Sequence, residues 1–354
     1  MIALLVAIAE LISAEHARAQ TNAYTVVELS VADAGQVPCR LNNLGDLVGR
    51  GSSAGQTQAT IWSHGTLKPK HLGALAGGDY SSAFAINDAG EIAGASNTSV
   101  SIVPFILKPM GALQRIALLP GDNCGQAFGI NKYGHAAGYS SGFSGARAFL
   151  WTGPAGARNL GSLPGGNYSR ARAVNDSDQV AGISGSPAGD RAVLWTNTGQ
   201  IRDLGTLPGD TSSGAIAINN AGDVVGYSKG QAGLRAFLWT AALGMQDLGV
   251  LPGGNASRAF DINDLGYVIG SSTTSSGDRA FIWTKEEGMS DLNSAASADL
   301  GVVFVEAHAI NNMGQILVMG RSTHEVNPSG GAALHGNDDC APAPPSTFLL
   351  TPTQ

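Results

Sequence analysis

The sequence predicts an all-β chain, a seven-bladed β-propeller built from four-stranded repeats of about 44 residues. Three observations favour this fold class: a motif that recurs seven times, short apolar runs between turn residues, and chain ends that complement each other. The composition agrees, because 49 glycines in 354 residues are about twice the usual share and tight turns use glycine heavily.

The recurring motif is an asparagine followed three residues later by glycine, as in "INNAGDVVG" at 218–226. Successive asparagines are separated by 45, 44, 44, 44, 44 and 48 residues. Propeller blades of the WD40 type have a period of about 40–45 residues, whereas leucine-rich repeats are shorter, at about 20–29. The motif asparagines are Asn42, Asn87, Asn131, Asn175, Asn219, Asn263 and Asn311.

Each unit contains four short apolar runs. In the fifth unit the first three are "AIAIN", "DVVGYS" and "RAFLWT", and the fourth resembles "QIRDLG" of the neighbouring unit. Glycine, proline, asparagine, aspartate and serine separate them, and apolar runs bounded in this way are typical of strands. Outside the first twenty residues no window has a helical stripe of apolar positions. The sequence therefore predicts four strands in each unit.

The asparagine motif itself predicts a hairpin turn. Asparagine caps the backbone with its side chain, and the glycine adopts a left-handed conformation. In the fourth unit Asp178 replaces the glycine, and aspartate tolerates that conformation. A calcium loop is the alternative, but it needs several acidic ligands at alternate positions, which "INKYGHAAG" lacks. We therefore interpret the asparagine as a turn residue.

Two further columns are expected to pack between blades. A glycine seven residues after the asparagine lies inside a strand, where glycine marks a bulge or a close backbone approach, and we expect close blade packing to be the reason. Tryptophan stands twenty residues after the asparagine in five units, and we expect it to fill the space between blades, with a partner for its indole N–H. These residues are Trp62, Trp151, Trp195, Trp239 and Trp283.

The chain ends predict a closed ring. The seventh unit stops after "TFLLTP" (347–352), without a fourth strand, while "AYTVVELS" (23–30) precedes the first unit. A linear solenoid needs polar caps, which are absent, whereas a ring removes most exposed edges. We predict that the N-terminal strand completes the last blade from outside, so that residues 20–354 form one domain with an insertion loop at 322–346.

Residues 1–19 are predicted to be a signal peptide, because a short apolar core precedes Ala17-Arg18-Ala19 and is too short to cross a bilayer. An ordinary N-terminal helix is the alternative. We expect the mature protein to be secreted or periplasmic and to have no transmembrane segment. Three cysteines are too few for a disulfide framework, and the sequence does not pair them.

The motifs "RAFLW", "DLGTLPGD" and "AIAINNAGDVVG" resemble the HAF-repeat family of bacterial extracellular proteins, over about residues 37–322. The resemblance implies an exported or surface protein of unestablished molecular function. The family is named for His-Ala-Phe, but this chain has arginine in the first place, so a role of that histidine does not carry over. The arginines are Arg147, Arg191, Arg235 and Arg279.

Ligand binding is predicted in the loops that enter each first strand, such as "LPGGNYSR" at 163–170, because propeller loops around the channel usually carry function. Amides, aromatic rings and arginines there suit a polar ligand such as a glycan. The alternative is that P-G-G-N is turn chemistry alone. The candidate ligand-binding residues are Asp79, Tyr80, Asn123, Asn167, Tyr168, Arg170, Asp210, Asn255 and Arg258.

No zinc-protease or P-loop motif is present, and no basic stripe indicates nucleic-acid binding. The histidines, aspartates and cysteine of the insertion loop match no metal-site spacing. We predict a monomeric binding or interaction scaffold for a glycan, matrix or protein ligand, without metal, cofactor or catalytic residues. The alternatives are a propeller hydrolase or lyase, which should have a carboxylate–histidine pair or carboxylate cluster at the channel mouth, and a purely structural role.

Overall fold

The computed structural model describes residues 23–29, 37–296, 301–323 and 346–353. It contains seven four-stranded antiparallel sheets, and the first strands of neighbouring sheets contact each other around one axis. The predicted seven-bladed propeller is confirmed. The predicted signal peptide and all but the ends of the insertion loop lie outside the described residues.

The first strand of the chain, β1 (Tyr24–Leu29), belongs to the last blade. Blade 1 contains β2 (Val37–Leu41), β3 (Leu47–Ser53), β4 (Gln56–Trp62) and β5 (Pro69–His71). Blade 2 contains β6 (Ser81–Ile86), β7 (Ile92–Asn97), β8 (Ile102–Leu107) and β9 (Gln114–Arg115). Blade 3 contains β10 (Asp122–Ile130), β11 (Ala136–Gly142), β12 (Gly145–Trp151) and β13 (Ala157–Asn159).

The next three blades follow the same pattern, from the axis outward. Blade 4 contains β14 (Ser169–Val174), β15 (Val180–Ser184), β16 (Arg191–Trp195) and β17 (Ile201–Asp203). Blade 5 contains β18 (Ser212–Ile218), β19 (Val224–Gly230), β20 (Gly233–Thr240) and β21 (Gly244–Asp247). Blade 6 contains β22 (Ser257–Ile262), β23 (Val268–Thr274), β24 (Gly277–Thr284) and β25 (Gly288–Asp291), and a short helix α1 (Leu292–Ala295) follows it.

Blade 7 closes the ring with strands from both ends of the chain. It contains β26 (Val302–Ile310), β27 (Ile316–Ser322) and β28 (Ser346–Pro352), with β1 as its outer strand. Strand β1 runs antiparallel to β28, from Tyr24 opposite Pro352 to Leu29 opposite Thr347. The predicted closure by the N-terminal strand is therefore observed.

Side chains of both neighbouring blades also hydrogen-bond to the backbone of the inner strand of blade 7. The Asp261 carboxylate of blade 6 accepts the N–H of Ile310 at 3.0 Å, and the Arg40 guanidinium of blade 1 lies 3.5 Å from the carbonyl of His308. Burial raises the pKa of Asp261, and the positive charge of Arg40 opposes that effect. Most other units have alanine or glycine at this position, so the charged pair marks the seam of the ring.

The tryptophans pack between blades, as the sequence predicts. Trp62 of blade 1 shares a cluster with Leu317 and Leu349 of blade 7, and Trp195 of blade 4 packs with Leu150 of blade 3. One detail is wrong: the Nε1 of Trp195 is buried and has no hydrogen-bond partner within the described residues. Its tight apolar surroundings hold the ring without that bond.

The glycine column has a different cause from the expected one. A Cβ on Gly138 would lie 1.9 Å from the carbonyl oxygen of Gln126, on the inner strand of the same blade. That strand has a β-bulge between Ala127 and Gly129, which pushes its backbone toward Gly138. The glycine therefore accommodates a bulge within its own blade, and not the packing of a neighbouring blade.

Proline substitutions in β1 provide a test of ring closure. The N–H of Thr353 donates to the carbonyl of Ala23 at 3.0 Å, so by antiparallel alternation Val27 bonds to β28 while the N–H of Val26 points away. We expect Val27→Pro to lower the free energy of unfolding of the 20–354 chain by at least about 1 kcal/mol more than Val26→Pro does, measured in urea. Equal effects of the two variants would argue against this pairing register.

Candidate functional site

The motif asparagines form the predicted turns. The Oδ1 of Asn175 accepts the N–H groups of Ser177 and Gln179, each at 3.0 Å, and the N–H of Asp178 donates to the carbonyl of Asn175 at 3.1 Å. Asp178 has φ 57°, the left-handed conformation that glycine adopts in the other units. The interpretation of the asparagine as a turn residue is correct for its oxygen.

The amide nitrogens of the same asparagines link the blades. The Nδ2 of Asn175 donates to the carbonyl of Asn219 at 3.1 Å, and the series closes where Asn311 donates to the carbonyl of Asn42 at 3.0 Å. All seven bonds span 2.9–3.3 Å, and all seven asparagines are 3–6 % exposed. We call this set the asparagine ring, and the end of the propeller where it lies the asparagine face.

A cavity of about 250 Å³ opens at the asparagine face, lined by the ring and by the residues that follow each asparagine. Those polar groups already bind neighbouring blades: the N–H of Asn220 donates to Asp264 at 2.8 Å, and the N–H of Asp176 donates to the side-chain oxygen of Asn220 at 2.9 Å. This cavity is therefore a by-product of blade joining, with its donors and acceptors in use.

A second ring fills the middle of the axis. Every inner strand has a β-bulge at the residue three before the motif asparagine. The rings of Phe84 and Phe128 lie 5.2 Å apart, and Phe260 stacks on His308 at 5.2 Å. The residues of this bulge ring are Cys39, Phe84, Phe128, Arg172, Ile216, Phe260 and His308. Cys39 is disulfide-bonded, and Cys124 is free.

Above the bulge ring, toward the loops that enter the inner strands, two positions of each unit approach the axis: five before the asparagine and eight after it. In blades 1, 2, 3 and 7 the members Val37, Ala95, Tyr139 and Met319 pack against the bulge ring. In blades 4 to 6 the same positions are mostly polar or open. We call five of these residues the axial site: Arg170, Gly214, Tyr227, Arg258 and Ser271.

The axial site pairs cations with aromatic rings. The Arg170 guanidinium lies 5.1 Å from the ring centroid of Tyr139, and that of Arg258 lies 4.9 Å from Tyr227. Between the two arginines, blade 5 has Gly214, where a Cβ would lie 2.8 Å from the Tyr227 ring. The glycine therefore lets the tyrosine lean across its own inner strand, between two arginine–tyrosine pairs.

Buried polar atoms without partners collect in this layer. The Oγ of Ser271 (1 % exposed), the Oγ of Ser82 (0 % exposed) and the Nε of Arg170 have no hydrogen-bond partner within the described residues. Buried polar groups in native proteins are nearly always bonded, to protein or to ordered molecules. Ser82 and Arg170 occupy the same position in their units, five residues before the motif asparagine. Ser271 occupies the position that lies opposite it on the neighbouring strand. Ordered water or a bound polar molecule therefore completes the hydrogen bonds of these atoms.

Of the predicted ligand-binding residues, Arg170 and Arg258 lie in the axial site and Tyr168 adjoins it. The Tyr168 hydroxyl donates to the Asp190 carboxylate. Burial, followed by this hydrogen bond, raises the pKa of Tyr168, which keeps the hydroxyl protonated as a donor. The positive charge of nearby Arg170 partly offsets that rise.

The other predicted residues occupy the loops farther from the axial site. The Asp79 carboxylate accepts from Asn97 at 2.6 Å, and the Asn255 side-chain oxygen accepts from Thr273 at 3.1 Å, which is turn chemistry. Tyr80 is partly buried, and Asp210 has a buried Oδ2 without a hydrogen-bond partner within the described residues. Asn123 and Asn167 are exposed. The structure does not bring these six side chains together with the two arginines.

Two sets of contacts were missed from the sequence. A serine six residues before the asparagine bridges blades: the Oγ of Ser257 accepts the N–H of Ala236 in blade 5 at 2.9 Å and donates to the carbonyl of Gly249 at 2.6 Å. Its recurrence in the repeats was the available signal. The partners of the arginines at the HAF position were also missed: Arg147 pairs with Asp122 at 2.8 Å, and Arg191 and Arg279 approach Asp203 and Asp291.

A carboxylate–histidine pair lies on the inner strand of blade 7. The Nε2 of His308 is 2.9 Å from a carboxylate oxygen of Glu306, and both side chains are largely buried. Burial, reinforced by the negative charge of Glu306, raises the pKa of Asp278 nearby. In the part of the chain that the structure describes, no group of histidine, cysteine, aspartate or glutamate has the geometry of a metal site, and no helix is long and apolar enough to span a membrane.

Comparison with known proteins finds likeness in fold only. No family model and no curated protein matches the chain. Among solved structures, it resembles virginiamycin B lyase from Staphylococcus aureus, with TM-score 0.56, 12% identity, and 93% of this chain and 100% of that chain covered. It also resembles oligogalacturonate lyase from Vibrio parahaemolyticus, with TM-score 0.57, 11% identity, and 92% and 93% covered. At such identities the comparison supports the propeller fold and carries no activity to this chain.

Replacing an asparagine by aspartate separates the two roles of the ring. Asn175→Asp keeps the oxygen that caps the turn, and Gln179 can rotate its amide to donate to the new carboxylate, but the carbonyl of Asn219 loses its donor. We expect a fall in the free energy of unfolding of about 1–3 kcal/mol, measured in urea. Unchanged stability would mean that the turn is the whole role of the asparagine.

Asn219→Asp serves as the comparison variant, because its new carboxylate would face Asp223 rather than a glutamine. We expect a larger loss of stability at pH 7 than for Asn175→Asp, since like charges repel. The difference between the variants should shrink below about pH 4, where aspartates become protonated. A difference that persists in acid would assign the loss to packing.

Proposed function

We propose that the chain is an exported, non-enzymatic binding propeller that takes a hydroxyl-rich ligand, a glycan, at the axial site. The observation that carries this proposal is the group of buried polar atoms without partners at Ser82, Arg170 and Ser271, in one layer of the axis. Sugar hydroxyls both donate and accept hydrogen bonds, so one saccharide ring satisfies a serine oxygen and an arginine N–H together.

The surroundings of these atoms suit a saccharide in two further respects. Tyr139 and Tyr227 supply flat, partly buried rings on the axial face, and aromatic faces with a few fixed polar groups are common in small-ligand sites. Below them the bulge ring provides an apolar floor, which excludes water from the hydrogen bonds of the layer.

Export and surface or periplasmic residence are part of the same proposal. They are supported by the signal-like residues 1–19 and by the resemblance of the repeats to HAF-repeat proteins. Glycan binding suits the cell surface and the periplasm, because polysaccharides are abundant there.

A glycan array probed with the 20–354 chain provides the test, run together with saccharide-degrading assays on every glycan that is retained. We expect retention of a related set of glycans without turnover. Ser271→Val, which keeps the volume and removes the hydroxyl, should weaken that binding about fivefold to tenfold, since one hydrogen bond contributes about 1 kcal/mol. An array without retained glycans would refute the proposal.

A lyase or hydrolase is the second candidate, favoured by the Glu306–His308 pair. The carboxylate fixes the orientation of the imidazole, as a general base requires. The oligogalacturonate lyase that shares the fold acts on an acidic saccharide by its name, which makes such substrates the first to assay. Turnover that is lost in His308→Gln, with binding retained, would support this candidate over the binding function.

A further inference from the structure

We propose that the ligand of the axial site is an anionic saccharide of the uronate class, whose carboxylate is bound by Arg170; this inference rests on the proposed function. Arg170 is partly buried, and within the described residues it forms no ion pair. Its Nε is buried and has no acceptor there. A partly desolvated cation without a counter-charge is less stable than a paired one, and an incoming anion supplies the missing pairing.

Three of the four arginines at the HAF position, unlike Arg170, approach carboxylates. Arg147 pairs with Asp122 at 2.8 Å, Arg191 approaches Asp203 at 3.9 Å, and Arg279 approaches Asp291 at 4.0 Å. Arg170 instead rests on the Tyr139 ring at 5.1 Å, a contact that leaves the edge of the guanidinium available. That edge offers parallel N–H donors, the arrangement that matches both oxygens of one carboxylate.

Aromatic and polar groups lie next to Arg170 in this layer. Between Arg170 and Arg258, the Tyr227 ring occupies the space that a side chain at position 214 would take. The Oγ of Ser271, on the blade that also carries Arg258, is available to a ring hydroxyl. We therefore expect a carboxylated pyranose to place its carboxylate at Arg170 and its ring near Tyr227 and Ser271.

Titration calorimetry of the 20–354 chain with trigalacturonate and with the neutral galactose trisaccharide of the same linkage tests the inference. We expect the acid to bind at least tenfold more tightly than the neutral sugar, and more weakly as salt is raised. Arg170→Gln should weaken binding of the acid at least tenfold and leave binding of the neutral sugar within twofold. Arg170→Lys, which keeps the charge without the fork, should fall between the two.

Arg158→Gln is the matched control, since it removes one positive charge from the exposed outer strand of blade 3, and it should bind the acid like the parent chain. Urea unfolding of each variant separates misfolding from loss of contact. Equal affinity for both trisaccharides, an Arg170→Gln variant that binds the acid normally, or array glycans that are all neutral would overturn the inference while the glycan-binding function stands. No bound saccharide of either kind would refute both.

Discussion

Seven hydrogen bonds from asparagine amides to asparagine carbonyls join each blade to the next, and they meet again where the seventh blade reaches the first. One residue type does two jobs, because its oxygen shapes the turn and its nitrogen reaches across to the neighbouring turn. The hydrogen bond from the amide nitrogen to the neighbouring turn can form only when every turn lies at the same height and angle around the axis. That alignment depends on the equal length of the blades and on the regular positions of their bulges and glycines.

Outside the asparagine ring, the side chains that face the axis vary from unit to unit. Positions within the ring are nearly invariant between units, whereas the two axial positions above the bulge ring range from Val37 to Arg170 and Gly214. A repeat fold tolerates such changes where a side chain faces the axis, since no neighbouring unit has to match it. Function in this molecule is therefore expected at these two positions, where the seven units differ.

The period, the strands and the closure could be predicted from the sequence, because each depends on spacing along the chain. The bonds between blades could not, since they join residues 44 or more positions apart, and a single motif looks complete as a turn. The glycine column was assigned the wrong cause for the same reason: its contact is with a bulge that only strand pairing reveals. Arg170 and Arg258 were among nine candidate residues, but nothing in their loops distinguished them from Asn123 or Asn167.

Strand β1 has its partner at the opposite end of the polypeptide, more than 300 residues away. While the chain is being made, this β-branched segment stays unpaired until the last unit has been synthesised, and such edges readily join the wrong partner. Contacts of this sequence separation also slow the search for the native arrangement. A companion that shields the leading segment during biogenesis would thus benefit this chain more than a protein whose final strand pairs with its immediate predecessor.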